Sequence, residues 1–461
     1  MRSDIRARGF QGALLAFAAV LVARPSFAAG AVDAVAQEAA QGLVQTPASS
    51  VVVAAPLVSD QPAPRGEELA LRIAALAAGK LGAGARAHAQ TAQLATARAI
   101  AGRASALVYV QTELSKGDIR TTVDVYPSMA NAWDRIRNPL PSPTGHAFST
   151  AKIDAEVRTF LAPLMLEQAS VHRARHDEGD VLAVACGDAD GDGGDELVLV
   201  SRARVAMGRV RGGKFVVERT APWSALAPRA PVTMREPLAS AVVAPGIVDV
   251  GTTDREAVAL TGDFVGHTPI SGVPVWGGEG VMCLAPETAA GAFDGAPFDC
   301  AVTREHKPKL AVPAPRFDAF ATSNIVSATG VVRSVVAVRE PSGKLKLKAG
   351  DLQVAPEGVY GAQLAVLDFD QDGVPDVATT VDGPDDALNL WTWAGPGPEL
   401  QGRLHLAAPG GVRAMAVCPA EERGRPVLVA VVGAEVWLVR AGIRGVPSTL
   451  GEAASPKRGE R

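Results

Sequence analysis

Two stretches of this chain repeat one strand–loop–strand pattern. Residues 184–200, VACGDADGDGGDELVLV, match residues 364–380, LAVLDFDQDGVPDVATT, at an offset of 180. In both stretches an apolar segment leads into D-x-D-x-D-G-x-x-[DE], and a second apolar segment follows. An EF-hand begins in the same way but requires Glu at the twelfth position, where this chain has Leu199 and Thr379. The pattern therefore predicts acidic loops between β-strands and excludes an EF-hand.

The region from 177 to 445 is predicted to be all-β. Short Val-rich segments are separated by Gly, Pro, Asp and Asn, and helical periodicity is nearly absent, which is typical of a sandwich, a barrel or a propeller. Weaker copies of the repeat occur at 247–260 and 415–432 and lack the series of acids. The repetition favours a propeller. At roughly 40–45 residues per blade, the region holds six blades, or seven if the amino-terminal part donates a strand.

The acidic loops have a chemistry that favours a bound cation. Alternate carboxylates in a tight turn converge and repel one another unless a cation lies between them. Six to eight oxygen ligands at roughly 2.3–2.6 Å suit calcium better than zinc or copper. We predict calcium ligands in the first acidic loop at Asp188, Asp190, Asp192, Gly194 and Glu196, and in the second acidic loop at Asp368, Asp370, Asp372, Val374 and Asp376. The alternative is an Asp-rich solvated turn without an ion.

These strand–loop–strand repeats resemble the FG-GAP or VCBS repeat of integrin-alpha-type β-propellers. The resemblance implies that the calcium ions are structural and tie two strands of a blade together. It also implies a protein that presents its loops to a protein or glycan partner.

A small α/β domain is predicted at residues 50–135. An apolar strand at 51–58 is followed by helices over Glu67–Leu81 and Gln90–Ala101 and by a hairpin at 106–126. This order resembles the amino-terminal domain of TolB and the related curli-secretion type domain. The propeller repeats do not match those of TolB, so the resemblance transfers no role.

The remaining segments are predicted to be a signal peptide, a leader, a linker and a tail. A basic start, an apolar run of about 12 residues and Ser26-Phe27-Ala28 predict a signal peptide over 1–28, cleaved after Ala28; the alternative is an uncleaved anchor. Residues 29–49 are predicted to be a flexible leader. Residues 136–176 are predicted to be a linker with a short helix over Ile153–Leu166, and 446–461 a disordered tail.

Charge and composition limit the function. The net charge of −4 becomes −7 once the four Arg and one Asp of residues 1–28 are removed, which disfavours nucleic acid as a partner. We expect a monomeric periplasmic or secreted protein without a membrane span, which acts as a binding or scaffolding module and not as an enzyme. The alternative is a propeller enzyme acting on polysaccharide, a lyase or a sugar dehydrogenase. Such an enzyme needs central His, Arg, Tyr or Lys residues, and Tyr360 is the only Tyr in this region.

The four cysteines allow three pairings, and their spacing alone does not select one. Cys283 and Cys300 flank a Pro- and Gly-rich insert, which favours a local disulfide. Cys186 and Cys418 occupy matching places in the first and last repeats, so a closed ring would put them in neighbouring blades. We predict free, buried thiols at Cys186 and Cys418; the alternative is a covalent clasp on the ring.

Overall fold

A computed structural model describes residues 30–43, 49–127 without 103 and 105, 142–227, 237–300 without 279 and 288–290, 308–327, 331–418 and 425–443. The predicted signal peptide and carboxy-terminal tail lie outside these residues. Within the described ranges, no helix combines the length and the apolar character that crossing a bilayer requires.

The amino-terminal part of the chain folds as an α/β domain around a six-stranded sheet. The order is β3-β1-β4-β5-β6, with β2 beside β4; β1 is parallel to β3 and β4, and the other neighbours on the path are antiparallel. The strands are β1 Ser50–Ala54, β2 Val58–Ser59, β3 Ala85–Ala87, β4 Ala106–Ser115, β5 Asp118–Pro127 and β6 Gly145–Lys152. The helices are α1 Ala31–Gln41, α2 Gly66–Leu81, α3 Leu94–Ala101 and α4 Ala155–Arg158.

Helix α1 replaces the flexible leader predicted for residues 29–49. Its fully buried side chains, Val32, Val35, Ala36 and Ala39, follow the i, i+3, i+4, i+7 spacing of an amphipathic helix. They join the core that α2 forms with the sheet. The prediction failed because this apolar face consists of small side chains, which give a weak periodic signal in a segment rich in Ala and Gln.

The predicted linker over 136–176 contains regular structure that belongs to both domains. Strand β6 extends the α/β sheet to Lys152, beyond the predicted boundary at 135. The helix predicted over Ile153–Leu166 is only the single turn α4, whose N-cap Asp154 accepts the Val157 N–H. A new strand, β7, begins at Leu164, because residues 164–175 pair with the last strand of the chain.

In the part of the chain that the structure describes, six blades of four antiparallel strands form the propeller, as the repeat predicts. The outermost strands of the first and last blades pair in parallel at one position, which joins these two blades into one eight-stranded sheet. The innermost strands of the six blades, β8, β12, β16, β20, β24 and β28, follow one another around an axial cavity. Blades one to three contain β8 Val181–Gly187, β9 Glu196–Ser201, β10 Arg204–Arg211, β11 Lys214–Pro222, β12 Ala239–Ala244, β13 Ile247–Thr252, β14 Ala257–Thr261, β15 His267–Ile270, β16 Val273–Trp276, β17 Val281–Glu287, β18 Ala292–Phe298 and β19 Arg316–Phe317. A short helix, α5 Trp223–Leu226, follows β11.

Blades four to six complete the ring. Their strands are β20 Ala319–Val326, β21 Val332–Arg339, β22 Leu345–Ala349, β23 Leu352–Val354, β24 Leu364–Leu367, β25 Asp376–Thr380, β26 Ala387–Thr392, β27 Gln401–Ala407, β28 Val412–Cys418, β29 Val427–Val432 and β30 Glu435–Ile443. Both faces of a blade pack against neighbouring blades, so a middle strand such as β29 is buried along its whole length and its sequence is continuously apolar.

Strand β7, Leu164–Arg175, closes the ring by completing blade six. It pairs antiparallel with β30, with Ala174 opposite Val436 and His172 opposite Leu438. The amino-terminal part therefore does donate a strand, but the strand supplies the fourth position of blade six and creates no seventh blade. The propeller begins at Leu164 and not at 177, because β30 would otherwise expose an unpaired edge.

A disulfide joins the first and last blades. Cys186 on β8 and Cys418 on β28 are bonded, with their Cα atoms 4.9 Å apart. The predicted adjacency of the two blades is confirmed, but the prediction of free thiols was wrong. Both residues lie on innermost strands, where neighbouring blades approach within disulfide range. The predicted local disulfide between Cys283 and Cys300 is confirmed.

We predict that the ring disulfide contributes more stability than the local one. The bonded cysteines are 232 residues apart in the first pair and 17 in the second, and chain entropy gives about 5 kcal/mol against about 3 kcal/mol for these loops. The double variant C186A/C418A should unfold at a lower guanidinium concentration than C283A/C300A, its matched control. Equal midpoints would contradict a clasp role for the ring disulfide.

Candidate metal centres

Both acidic loops connect the innermost strand of a blade to the second strand. The first loop joins β8 to β9 in blade one, and the second joins β24 to β25 in blade five. Equivalent connections in equivalent blades lie at the same end of the ring. Each loop turns at a glycine with positive φ, 85° at Gly193 and 84° at Gly373, a conformation that side chains with a Cβ rarely adopt.

Three of the five predicted ligand positions come together in each loop. Asp188, Asp190 and Glu196 each offer one carboxylate oxygen to a group whose members lie within 4.8 Å of one another, and the second loop forms the same arrangement. Its members there are Asp368, Asp370 and Asp376. Two buried acidic clusters thus exist, and each could hold a metal ion.

The fifth and seventh loop positions have a different geometry. Asp192 and Asp372 are exposed, and each accepts the N–H of the seventh position, Gly194 or Val374, at 2.8 Å. These two carboxylates therefore stabilise the turn and are not part of the converging groups. Ligation by the main-chain oxygens of Gly194 and Val374 stays a prediction.

The second loop contains three carboxylates with little exposure to solvent, of which only Asp370 has an oxygen without a hydrogen-bond partner among the described residues. Asp368 accepts the N–H groups of Asp372 at 2.9 Å and Gly373 at 2.8 Å. Asp376 is fully buried and accepts the Thr392 hydroxyl at 2.6 Å. Asp370 is 4% exposed, and its Oδ1 has no hydrogen-bond partner among the described residues.

Burial makes ionisation of this second cluster costly. It raises the pKa of Asp368 to about 7, of Asp370 to about 6 and of Asp376 to about 8, and repulsion from neighbouring carboxylates raises these values further. A cation among the three groups would favour their charged forms. The all-oxygen, anionic donor set fits a hard divalent cation and does not resemble a zinc or copper site.

In the first loop an arginine from strand β10 lies among the carboxylates. Arg209 forms an ion pair with buried Glu196, and its Nη2 lies 2.8 Å from Asp192 Oδ2 and 3.7 Å from Asp190 Oδ1. A second guanidinium, that of Arg219, lies 3.9 Å from Asp190 Oδ2. The hydrogen bond to Asp192 raises the pKa of Arg209 above its usual range.

Sequence reasoning missed Arg209 and Thr392, which contact the ninth loop position from the third strand of their blades. Asp376 is opposite Thr392 on β26, and Arg209 lies one position beyond the Gly208–Leu197 pair that ends the β9–β10 ladder and forms an ion pair with Glu196. Glu196 and Arg209 are closer together in the chain than Asp376 and Thr392 are, because the turn between the second and third strands is shorter in blade one. The constant offset of 180 therefore does not align the two residues, and only the strand register identifies them as equivalent.

The second loop also lies beside the seam between the two domains. Arg403 on β27 forms an ion pair with Glu167 on β7, and its Nη2 is 3.6 Å from Asp370 Oδ2. Arg158 of α4 is buried and donates to Gln61 at 2.9 Å. Burial lowers the pKa of Arg158 to about 10, and the charge of Asp368 opposes this shift.

The axial cavity is a further concave feature. Its volume is about 870 Å³, and every innermost strand contributes to its wall. The wall has both apolar and polar surface, with residues that include Val184, Ser240, Trp276, Phe320, Leu364 and Met415. Two wall carboxylates, Asp318 and Asp382, are paired with Arg339 at 2.6 and 3.1 Å. The cavity could accept a ligand with apolar surface.

We predict that the chelator-treated protein loses stability as the pH rises from 4 to 8. The pKa values of Asp368, Asp370 and Asp376 are higher in the folded protein than the usual value of 3.8, so the folded state binds more protons in this range and is favoured at its acidic end. Melting temperatures in chelator should fall by several degrees between pH 5 and 8, and less in D376N. An identical pH profile for D376N would contradict this assignment.

Comparisons with known proteins do not identify a family. No family model and no curated protein matches the chain. Solved structures similar to it include a DUF4623 family protein from Bacteroides eggerthii (8% identity, 70% of this chain and 82% of that chain, TM-score 0.40). The RRP9 WD40 repeats are also similar (11% identity, 61% of this chain and 99% of that chain, TM-score 0.37). So is the Cps50 (Swd1) beta-propeller domain from Myceliophteria thermophila (11% identity, 72% of this chain and 96% of that chain, TM-score 0.32). Such weak similarities assign no function to this chain.

Proposed function

We propose that this chain is an exported calcium-binding β-propeller protein, which acts as a non-catalytic binding or scaffolding module in the periplasm or outside the cell. The observation that carries the proposal is the second acidic loop, in which Asp368, Asp370 and Asp376 converge. Two of these side chains, Asp370 and Asp376, are nearly inaccessible to solvent. Buried carboxylates in this number are stable in their charged forms only with a compensating cation, and without one they tend to take up protons.

Calcium is the metal that this donor set favours. Asp, Glu and main-chain oxygens are hard ligands, and a loop that closes a strand–strand connection tolerates the irregular geometry of calcium coordination better than the strict octahedron of magnesium. The ligands at the ninth position, Glu196 and Asp376, begin strands β9 and β25. A bound ion would thus tie the innermost strand to the second strand, which is a structural role of the kind that FG-GAP or VCBS repeats imply.

Export is supported by the covalent structure as well as by the amino-terminal sequence that predicts a signal peptide. All four cysteines are paired in two disulfides. Disulfides persist in the periplasm and outside the cell and are rare in the cytosol of most organisms.

A binding role is supported by two surfaces, the axial cavity with its surrounding loops and the α/β domain. The axial cavity has apolar and polar wall surface that a ligand could contact, and the loops of six blades surround its ends. The α/β domain, which we propose to be of the TolB amino-terminal or curli-secretion type, adds a second surface. We propose a protein or glycan partner and a monomeric chain.

We predict that calcium stabilises the protein by mass action, because it binds the folded state and not the unfolded chain. Millimolar calcium should raise the melting temperature by several degrees over that in chelator. The variant D370N should lose most of this gain, whereas D351N, which alters an exposed carboxylate outside both loops, in the turn between β22 and β23, should retain it. Calorimetric curves that coincide with and without calcium would refute the structural ion.

Export has a direct chemical signature. Mass spectrometry of the protein from an envelope or culture fraction should find a mature chain that begins at Ala29 with no free thiols. Recovery of the full-length chain in the cytosol with reduced cysteines would overturn this part of the proposal.

The binding role can be separated from catalysis with immobilised protein. Envelope extract passed over the wild type should leave a protein or glycan that chelator elutes, and the D370N/D376N double variant should retain less of it. Incubation with polysaccharides should give no new reducing ends or unsaturated sugars. Product formation would instead favour the lyase or sugar dehydrogenase alternative.

A further inference from the structure

The two acidic loops have the same sequence pattern but different neighbours on the third strand of their blades. The ninth loop position is in contact with Arg209 in blade one and with Thr392 in blade five. Thr392 donates one neutral hydrogen bond to Asp376 at 2.6 Å. Arg209 brings a full positive charge into contact with Glu196. A single register position therefore decides whether the cluster contains a cation of its own.

The guanidinium of Arg209 occupies the region where a metal would coordinate in the first loop. One nitrogen, Nη2, is in contact with Glu196, 2.8 Å from Asp192 and 3.7 Å from Asp190. These are three of the carboxylates predicted as calcium ligands. A calcium ion would have to displace this nitrogen, since two cations within a few ångström of each other repel strongly.

The second loop retains an open ligand on a side chain that solvent barely reaches. Oδ1 of Asp370, whose side chain is 4% exposed, has no hydrogen-bond partner among the described residues. The same residue lies in the converging group with Asp368 and Asp376. An oxygen that is buried, unpartnered and placed among other carboxylates is well suited to a cation.

The carboxylates of the first loop have countercharges or solvent instead. Asp190 has both Arg209 and Arg219 within 4 Å, and the buried Glu196 is in contact with Arg209. Two oxygens of the predicted ligands in the first loop also have no hydrogen-bond partner among the described residues: Oδ1 of Asp188, whose side chain is only partly buried, and Oε1 of the fully buried Glu196, which instead has the ion-pair contact with Arg209. The need for an external cation is therefore greater in the second loop than in the first.

Arg403 does not neutralise the second loop in the way that Arg209 neutralises the first. Its guanidinium is engaged in the ion pair with Glu167, and its Nη1 donates to the Thr392 hydroxyl at 3.2 Å. The nearest oxygen of Asp370 is 3.6 Å away. Among the described residues, Arg403 is thus shared with an external carboxylate and is a weaker countercharge for the second loop than Arg209 is for the first.

We propose that the two loops have different cations: the second loop takes calcium, and the first is held permanently by the guanidinium of Arg209 and binds no metal. The proposal rests on the calcium binding proposed above and assigns it to one site per chain. The first loop then keeps its fold when calcium is removed, whereas the second loop depends on the ion.

Calcium stoichiometry in reciprocal variants tests the assignment. Isothermal titration calorimetry with calcium chloride should give one ion per wild-type chain. R209T should bind two ions, because the first loop then resembles the second, and T392R should bind none. D190N should keep one ion, whereas D370N should lose it. Circular dichroism checks that each variant folds, and D370N tests the second loop without a large side chain if T392R does not fold.

The outcomes separate this proposal from the one on which it rests. If neither the wild type nor R209T binds calcium, the proposed calcium binding itself is wrong. If the wild type binds two ions, or if D190N loses an ion, the protein binds calcium but the assignment to one loop is overturned. One ion in the wild type and one in R209T would also overturn it, since Arg209 would then not be what excludes the metal.

Hydrogen exchange gives a second readout that does not depend on stoichiometry. In the wild type, chelator should accelerate amide exchange in the peptide 364–380 by at least tenfold and leave 184–200 unchanged. In R209T, both peptides should become sensitive to chelator. Equal acceleration of the two peptides in the wild type would contradict a first loop that is held by its own arginine.

Discussion

The pairing of β7 with β30 is the interaction on which the rest of the architecture depends. Without β7, blade six has three strands and an exposed edge; with it, the ring closes on a segment from the other end of the propeller sequence. Closure brings β28 beside β8, and this adjacency is what allows the bond between Cys186 and Cys418. Strand pairing and a covalent bond thus fasten the same junction, the first on the outer side of blade six and the second near the axis.

The same closure places the α/β domain next to the second acidic loop. Strand β7 follows α4 after a short connection, so the end of the α/β domain must lie where blade six begins, beside blade five. Glu167 of β7 consequently forms an ion pair with Arg403, which also lies close to Asp370. Arg158 of α4 interacts electrostatically with Asp368. The first loop, in blade one, has its countercharge from its own blade. The difference between the loops is therefore partly a consequence of where the chain enters the ring.

The features predicted correctly from sequence are those carried by local patterns. The D-x-D-x-D-G loops, the continuous apolar strands, the propeller and the Cys283–Cys300 bond follow from residues close together in the chain. The failures share a non-local cause. Residues 164–175 become a strand because their partner, β30, comes from the opposite end of the propeller sequence, and α1 is stable because its small side chains pack on α2. The bond between Cys186 and Cys418 depends on strand positions near the axis, which periodicity does not reveal.

For the acidic loops, too, the sequence predicts the local feature, the converging carboxylates, and does not predict the charge that balances them. A loop motif specifies which oxygens converge, because those residues are neighbours along the chain. The charge that balances them comes from the third strand of the blade, at a position set by the length of an intervening turn, which is shorter in blade one than in blade five. Two loops with the same motif can thus differ in the charge that surrounds their carboxylates, and under the proposed assignment a count of motifs overestimates the number of ions. In that assignment the residue in contact with the ninth loop position, Arg209 or Thr392, distinguishes a self-neutralised loop from a metal-dependent one.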